Sequence, residues 1–309
     1  MTDFALLSFP IFGVVALGWM AVQTRVVAPG MLEALGAFSF RFALPALVFR
    51  LISSQPLGRS FNPLFFGGYL ASGSLIFALG FTLSRIFDRR GAAIASAYAT
   101  TMTVSNLGFL GPPLVLAFFG QRGAGPLAMA ILAEVMVLLS VGGAIMGASR
   151  GSGAGIGSFV LRGTVLNPVV SAIVLGAAFA ATDNHLPHSL DRFLSFLGSS
   201  AGPTALFAVG GALALQRFDR RTAVAAAIMS GAKLVAYPAL VWYMLAQVLQ
   251  LESFWVRVAV LLASLPSAGS TYIFAQRYAA DEERVSAAIA LSTVVSIASV
   301  PFTIWLVRH

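Results

Sequence analysis

Cysteine is absent from all 309 positions, which excludes disulfides, thiolate catalysis and cysteine-ligated metal sites. Charge is scarce as well. Only 10% of the residues are Asp, Glu, Lys or Arg, against roughly 25% in a soluble domain. Histidine occurs three times, and neither His nor Asp lies deep inside an apolar segment. The chain therefore offers no intramembrane catalytic set such as His-Glu-x-x-His, clustered aspartates or a Ser/His pair, and neither an enzyme nor a cofactor is expected. No Lys or Arg precedes the first apolar segment, which starts beside Asp3, so no cleavable signal peptide is expected either.

Apolar residues fill the space, at 58% of the chain. Runs fall at roughly 4–23, 32–54, 63–86, 92–119, 124–147, 158–181, 190–215, 222–247, 254–279 and 285–307. Each is long enough to cross a bilayer, which takes about 20 residues. The length rule that divides soluble chains into domains does not apply to such a sequence. A net charge of +8 would suggest nucleic acid in a soluble protein. Here the arginines crowd alternate loops, with Arg85, Arg89 and Arg90 after the third run and Arg217, Arg220 and Arg221 after the seventh. The positive-inside rule accounts for them, puts both termini outside the cytoplasm and leaves no call for a nucleic-acid partner.

A Gly/Ser-rich stretch at 148–157 divides the runs five and five. The halves, 1–147 and 158–309, repeat at one offset: Pro10 and Pro168 are 158 residues apart, as are Gly18 and Gly176, Pro45 and Pro203, Phe49 and Phe207, Leu107 and Leu265, and Gly111 and Gly269. An odd number of spans per repeat inserts the second half upside down, the plan of inverted-repeat secondary transporters. The expected fold is therefore all-α and integral to the membrane, with ten helices in two inverted five-helix repeats.

The fourth run breaks in its middle, where Gly108, Gly111, Pro112 and Pro113 crowd together. Proline lacks the backbone N–H and its ring clashes with the carbonyl four residues back. Its repeat partner, the ninth run, is broken at Ala263-Ser-Leu-Pro266-Ser-Ala-Gly-Ser270. Unpaired backbone costs several kcal/mol apiece in hydrocarbon, so such breaks are buried in protein or line a wet cavity. A matched pair of interrupted segments is the sequence pointer to a transporter's binding site.

Ser105-Asn106-Leu-Gly108-Phe109-Leu-Gly111-Pro112-Pro113, Ser264-Leu-Pro266-Ser-Ala-Gly269 and the tail Ser292 to Pro301 resemble the auxin efflux carrier family, which includes PIN-type carriers and bacterial malonate transporters. The resemblance covers essentially the whole chain. It implies that broken helices 4 and 9 cross at the midplane. It also implies a scaffold of helices 1, 2, 6 and 7, a transport domain of helices 3–5 and 8–10, and dimerisation through the scaffold.

The residues themselves speak for an anionic cargo. Second half-helices starting near Pro112 and near Ser270, a candidate N-cap, would present orphan N–H groups and partial positive charge. Asn106 is a candidate carboxylate donor, with Thr103, Ser105, Ser267, Ser270 and Thr271 as short polar companions and Gly108, Gly111, Pro112 and Pro266 shaping the breaks. Each Ser or Thr has a plainer alternative, a hydrogen bond to its own helix. Arg41, Glu134 and Lys233 lie inside spans, where a charge costs at least ~2.5–3.5 kcal/mol and points to function by default. Glu134 and Lys233 are expected to pair near the crossover, either coupling protonation to transport or bracing the helices. Arg41 either contacts substrate or reaches the interface. His185 and His188, beside Asp183 and Asp191, belong to an external loop where solvated residues are the rule, and no metal is expected.

The leading expectation is a secondary carrier of a small organic anion, malonate or another weak carboxylic acid, working as an elevator in the cell (inner) membrane, with the lipid bilayer and either proton or sodium as partners. The alternative keeps the fold but couples the anion to sodium, as in bile-acid transporters.

Overall fold

The computed structural model describes residues 2–54, 61–149, 167–182, 184–215 and 220–308. The Gly/Ser stretch expected to link the halves lies, from position 150 onward, outside the described residues, as do Asp183 and Arg217. In chain order the helices are α1 (Thr2–Gln23), α2 (Pro29–Phe38), α3 (Leu44–Ser53), α4 (Pro63–Phe87), α5 (Ala92–Thr103), α6 (Gly111–Phe119), α7 (Ala124–Ile131) and α8 (Ser140–Ala148). They continue as α9 (Pro168–Ala180), α10 (His188–Ser199), α11 (Ala201–Leu215), α12 (Arg220–Gly231), α13 (Tyr237–Trp242), α14 (Ser253–Ala263), α15 (Gly269–Arg277) and α16 (Glu282–Arg308). No strand occurs among the described residues, only one isolated antiparallel bridge between Ser105 and Ser267.

Among the described residues, six helices are long and apolar enough to cross a membrane: Gly30–Ser53, Pro63–Phe87, Gly111–Ala148, His188–Leu215, Thr222–Val248 and Glu282–Val307. The chain is thus an all-helical, multi-pass membrane protein. The fourth and ninth runs of the sequence are each split, into α5 and α6 and into α14 and α15. Half-helices of 9 to 12 residues are too short to span alone. Several spans are stitched from α-helix and π-helix. Segments Ser39–Ala43, Leu132–Leu139 and Ala232–Ala236 are π-helical, and they carry Arg41, Glu134 and Lys233. A π turn fits an extra residue into the helix and is used mostly at functional sites.

The chain forms two compact units. The first comprises 1–62, 107–129 and 165–216. Its helices approach through glycine. A side-chain carbon on Gly18 would stand 2.1 Å from the Phe207 carbonyl oxygen, and one on Gly210 1.9 Å from that of Val15, so α1 and α11 pack backbone to backbone. Gly176 on α9 faces the Phe49 carbonyl on α3 in the same manner, at 3.1 Å. Asn167 caps α9, its side chain accepting from the amides of Val169 and Val170, with Pro168 in the first turn. Arg50 at the end of α3 grips Asp191 on α10 through two hydrogen bonds of 2.7 and 3.1 Å.

The second unit comprises 63–106, 130–164 and 217–309. At one end, the loop between α4 and α5 and the loop between α15 and α16 are tied by charge. Arg90 bridges Asp88 (2.6 Å) and Asp281 (2.7 Å), and Tyr98 donates to Asp281 while accepting from Arg90 and Arg284. Arg89 and Asp281 hold left-handed backbone, with φ of 53° and 57°, to make these turns. Hydrogen bonding from Arg90 keeps the Asp88 carboxyl below its ordinary range.

Two measurements check this packing. Gly210→Leu should lower the melting temperature in detergent by several degrees, since overpacking costs roughly 1–3 kcal/mol. Gly13→Ala, which meets open space, should leave it unchanged or raise it. Asp88→Asn should destabilise at neutral pH. Because the folded carboxyl titrates below its unfolded value of about 3.9, its contribution is complete above that pH and is lost as pH falls further. The gap between wild type and Asp88→Asn should therefore close in melts below about pH 4.

Candidate functional site

The two helix breaks are joined in the second unit. Helix α5 stops at Thr103 and the chain runs extended, with Val104 at φ −83° and ψ 113°. Helix α14 stops at Ala263, and Ala268, again extended, precedes α15. The unwound stretches run antiparallel. The Asn106 amide donates to the Pro266 carbonyl (2.8 Å) and the Ala268 amide to the Val104 carbonyl (2.9 Å), on either side of the Ser105–Ser267 bridge. Pro266 has no N–H of its own and serves as acceptor only. The Ser267 hydroxyl adds a bond to the Thr101 carbonyl (2.7 Å), and the Ser267 amide reaches the Ser292 hydroxyl (3.2 Å).

The two buried charges close the rest of the break. Glu134 is fully buried. Its Oε2 accepts the Ser105 amide at 2.6 Å, and its Oε1 accepts the hydroxyls of Tyr69 (2.7 Å), Ser105 (2.8 Å) and Tyr237 (3.2 Å). Lys233, equally buried, donates to the Ser105 hydroxyl (2.8 Å) and to the Ala263 carbonyl (2.6 Å). Its ammonium also sits 4.6 Å from the centre of the Tyr237 ring, a cation–π contact. Lys233 thus caps the C-terminal end of α14, where a cation complements the helix dipole, and Glu134 takes the amide that the end of α5 leaves without a helical partner. Phe65 stacks on Tyr69 at 5.9 Å and sets that phenol in place.

The expected Glu134–Lys233 pair is corrected in one respect. The charges do not meet directly; the Ser105 hydroxyl stands between them, accepting from one and donating to the other. Other expectations divide. Ser105, Ser267, Pro266 and the Asn106 backbone all belong to the paired stretches, and Asn106 is buried. The hydroxyls of Thr103 and Thr271 bond their own helices, at Ala99 and Ala268. Helix α15 begins at Gly269, after Ala268, so Ser270 is a second helical residue and not the cap; no side chain caps this end. Helix α6 likewise starts at Gly111, with Pro112 second, in the first unit, to which Gly108 also belongs. Arg41 is exposed on its π segment in the first unit. His185 and His188 are exposed too.

Sequence reasoning passed over Tyr69, Tyr237 and Ser292. The first two are phenols in the middle of apolar runs, where a hydroxyl needs a buried partner. That was the available signal.

Burying a charge whose partner is removed costs about 3–5 kcal/mol, while replacing both by apolar groups is often neutral. Lys233→Met should therefore cut the melting temperature in detergent sharply. Adding Glu134→Leu should restore much of it, giving a strongly non-additive double-mutant cycle.

Comparison with known proteins agrees with this architecture. The family model of membrane transport proteins matches residues 6–304. A Rhizobium meliloti (strain 1021) protein named "Putative malonate transporter" is 32% identical over 314 residues, covering 100% of this chain and 97% of its own. An "Uncharacterized transporter" of Methanothermobacter thermautotrophicus is 28% identical over 93% of each chain. The mouse "Lysosomal cholesterol signaling protein" is 25% identical over 96% of this chain but only 36% of its own length. The chain belongs to the membrane transport protein family, in agreement with the auxin efflux carrier resemblance of its broken-helix motifs.

Proposed function

We propose that the protein is a secondary carrier of a small carboxylate, malonate or a similar weak acid, which binds at the paired breaks beside Asn106 and the uncapped start of α15. The observation that carries this reading is the antiparallel meeting of two interrupted helices at Ser105 and Ser267. Next to it, α15 begins with no side-chain cap; the Thr271 amide turns back to the Ala268 carbonyl, and the amides ahead of it in the first turn could meet an anion, as at other helix N-termini. The full-length likeness to a relative named for malonate supports the substrate class.

Ten spans in two inverted repeats complete the proposal. Two contacts support it: Gly18 lies against the Phe207 carbonyl and Gly176 against that of Phe49, and each glycine and each phenylalanine is 158 residues from its counterpart. The first compact unit holds spans 1, 2, 6 and 7 together with 107–129 from the fourth and fifth runs, which supports in part a scaffold on those four spans and a body that carries substrate past it in an elevator movement. The carrier would sit in the inner membrane as a homodimer, with both termini outside. Coupling to protons fits better than coupling to sodium. Glu134, the only acid deep in a span, already accepts four hydrogen bonds, three of them at Oε1, and no second deep acid is at hand to help ligate a sodium ion.

Uptake of labelled malonate into liposomes tests the reading, with pH and sodium gradients imposed separately. Saturable uptake driven by the pH gradient is expected, reduced at least about tenfold in Asn106→Ala, the worth of a hydrogen bond to a charged group. Absence of malonate uptake under either gradient, or full transport by Asn106→Ala, would sink it.

A further inference from the structure

Away from the paired breaks, the second unit has an apolar groove of about 790 Å³ between α13, α14 and α16. Leu234, Pro238, Val260, Phe302 and Leu306 form much of its wall. None of the residues of the helix breaks lines it, so it is separate from the proposed carboxylate site.

Two polar groups in this wall lack partners. Arg257, mostly covered, makes no hydrogen bond or ion pair with any described residue. An Arg near a helix end in a membrane protein can reach the interface, and there its guanidinium is available to an anion. The Ser299 hydroxyl is the only buried side-chain polar atom among the described residues without a hydrogen-bond partner, and Ser299 lines the same groove. Arg257 is four residues into α14, ~6 Å along the helix from its start. Trp242, in the groove wall, and Tyr243 beside it are 46% and 53% exposed. Both lie within the span Thr222–Val248, where α13 passes directly into a π-helical stretch from Tyr243 to Val248.

We propose that this groove binds an anionic phospholipid. The Arg257 guanidinium holds the phosphate through paired hydrogen bonds, the Ser299 hydroxyl donates to an ester oxygen, and an acyl chain lies along the apolar wall. Inorganic phosphate alone satisfies the guanidinium and leaves that wall unfilled. An uncharged lipid fills the wall and leaves the guanidinium bare. Only a molecule with both parts answers both.

Native mass spectrometry of the full chain in detergent tests this, with phosphatidylglycerol and phosphatidylcholine of identical chains added in competition. The wild type should retain phosphatidylglycerol about tenfold better, as expected for a hydrogen bond to a charged group. Arg257→Gln should lose that preference, while Arg192→Gln, on α10 in the first unit, should keep it. Ala239→Trp, which fills the groove from an exposed position, should lose retained lipid of both kinds, and it carries the test should Arg257→Gln fail to fold. Equal retention of the two lipids by the wild type would overturn the proposal, as would a preference that survives in Arg257→Gln or unchanged retention in Ala239→Trp. So would ready displacement of the lipid by inorganic phosphate.

Discussion

A backbone that leaves its helix inside a membrane must find partners for every N–H and C=O it exposes, and that requirement organises the second unit. Four of the groups released at the breaks answer one another across the two stretches, at Asn106–Pro266 and Ala268–Val104. The others need side chains. Glu134 takes the Ser105 amide, Lys233 takes the Ala263 carbonyl and Ser292 takes the Ser267 amide. Of the charges expected in the spans, Glu134 and Lys233 each meet a backbone group released at the breaks.

Once Glu134 is buried, its own cost has to be met. The tyrosines do this: the phenols of Tyr69 and Tyr237 both donate to it, and their rings are packed 5.8 Å apart. The Ser105 hydroxyl then serves both charges at once and makes one connected chain from Lys233 to Glu134. A half-satisfied version of this network would be worse than an apolar core, which explains why its members come as a set. The offset of 158 residues adds a regularity. Ser105 and Ala263 are counterparts, as are Glu134 and Ser292, and positions 134 and 292 both accept an amide from an unwound stretch. One position uses a carboxylate and the other a hydroxyl for the same task, because only Glu134 also faces a lysine through Ser105.

The breaks were legible because glycine and proline announce them without tertiary information, and Glu134 and Lys233 were legible because charge is conspicuous in an apolar run. The bridging role of Ser105 was not. It depends on π turns at Leu132–Leu139 and Ala232–Ala236, which shift register in a way no hydrophobic period records. Tyr69 and Tyr237 were passed over because a phenol in an apolar span reads as packing until its hydroxyl partner is known. The cap of α15 was placed two residues late because Ser270 is the better capping residue in isolation; the pairing of Ala268 with Val104 puts the cap at Ala268 and the helix start at Gly269 instead.

The closure of the Glu134–Lys233 network bears on how an anion would be held. Lys233 is committed to Ser105, Ala263 and the Tyr237 ring, and its charge is balanced by Glu134 through one hydroxyl. A carboxylate bound at the breaks, as proposed, would therefore meet amide dipoles and the partial charge of a helix end, about half a unit, rather than a free ammonium. A buried ion pair with cargo would be hard to leave, since separating it strands a charge at a cost of several kcal/mol. A carrier has to release what it binds on every cycle. Keeping the lysine occupied by the backbone, and leaving recognition to dipoles, would give the proposed site attraction without a trap.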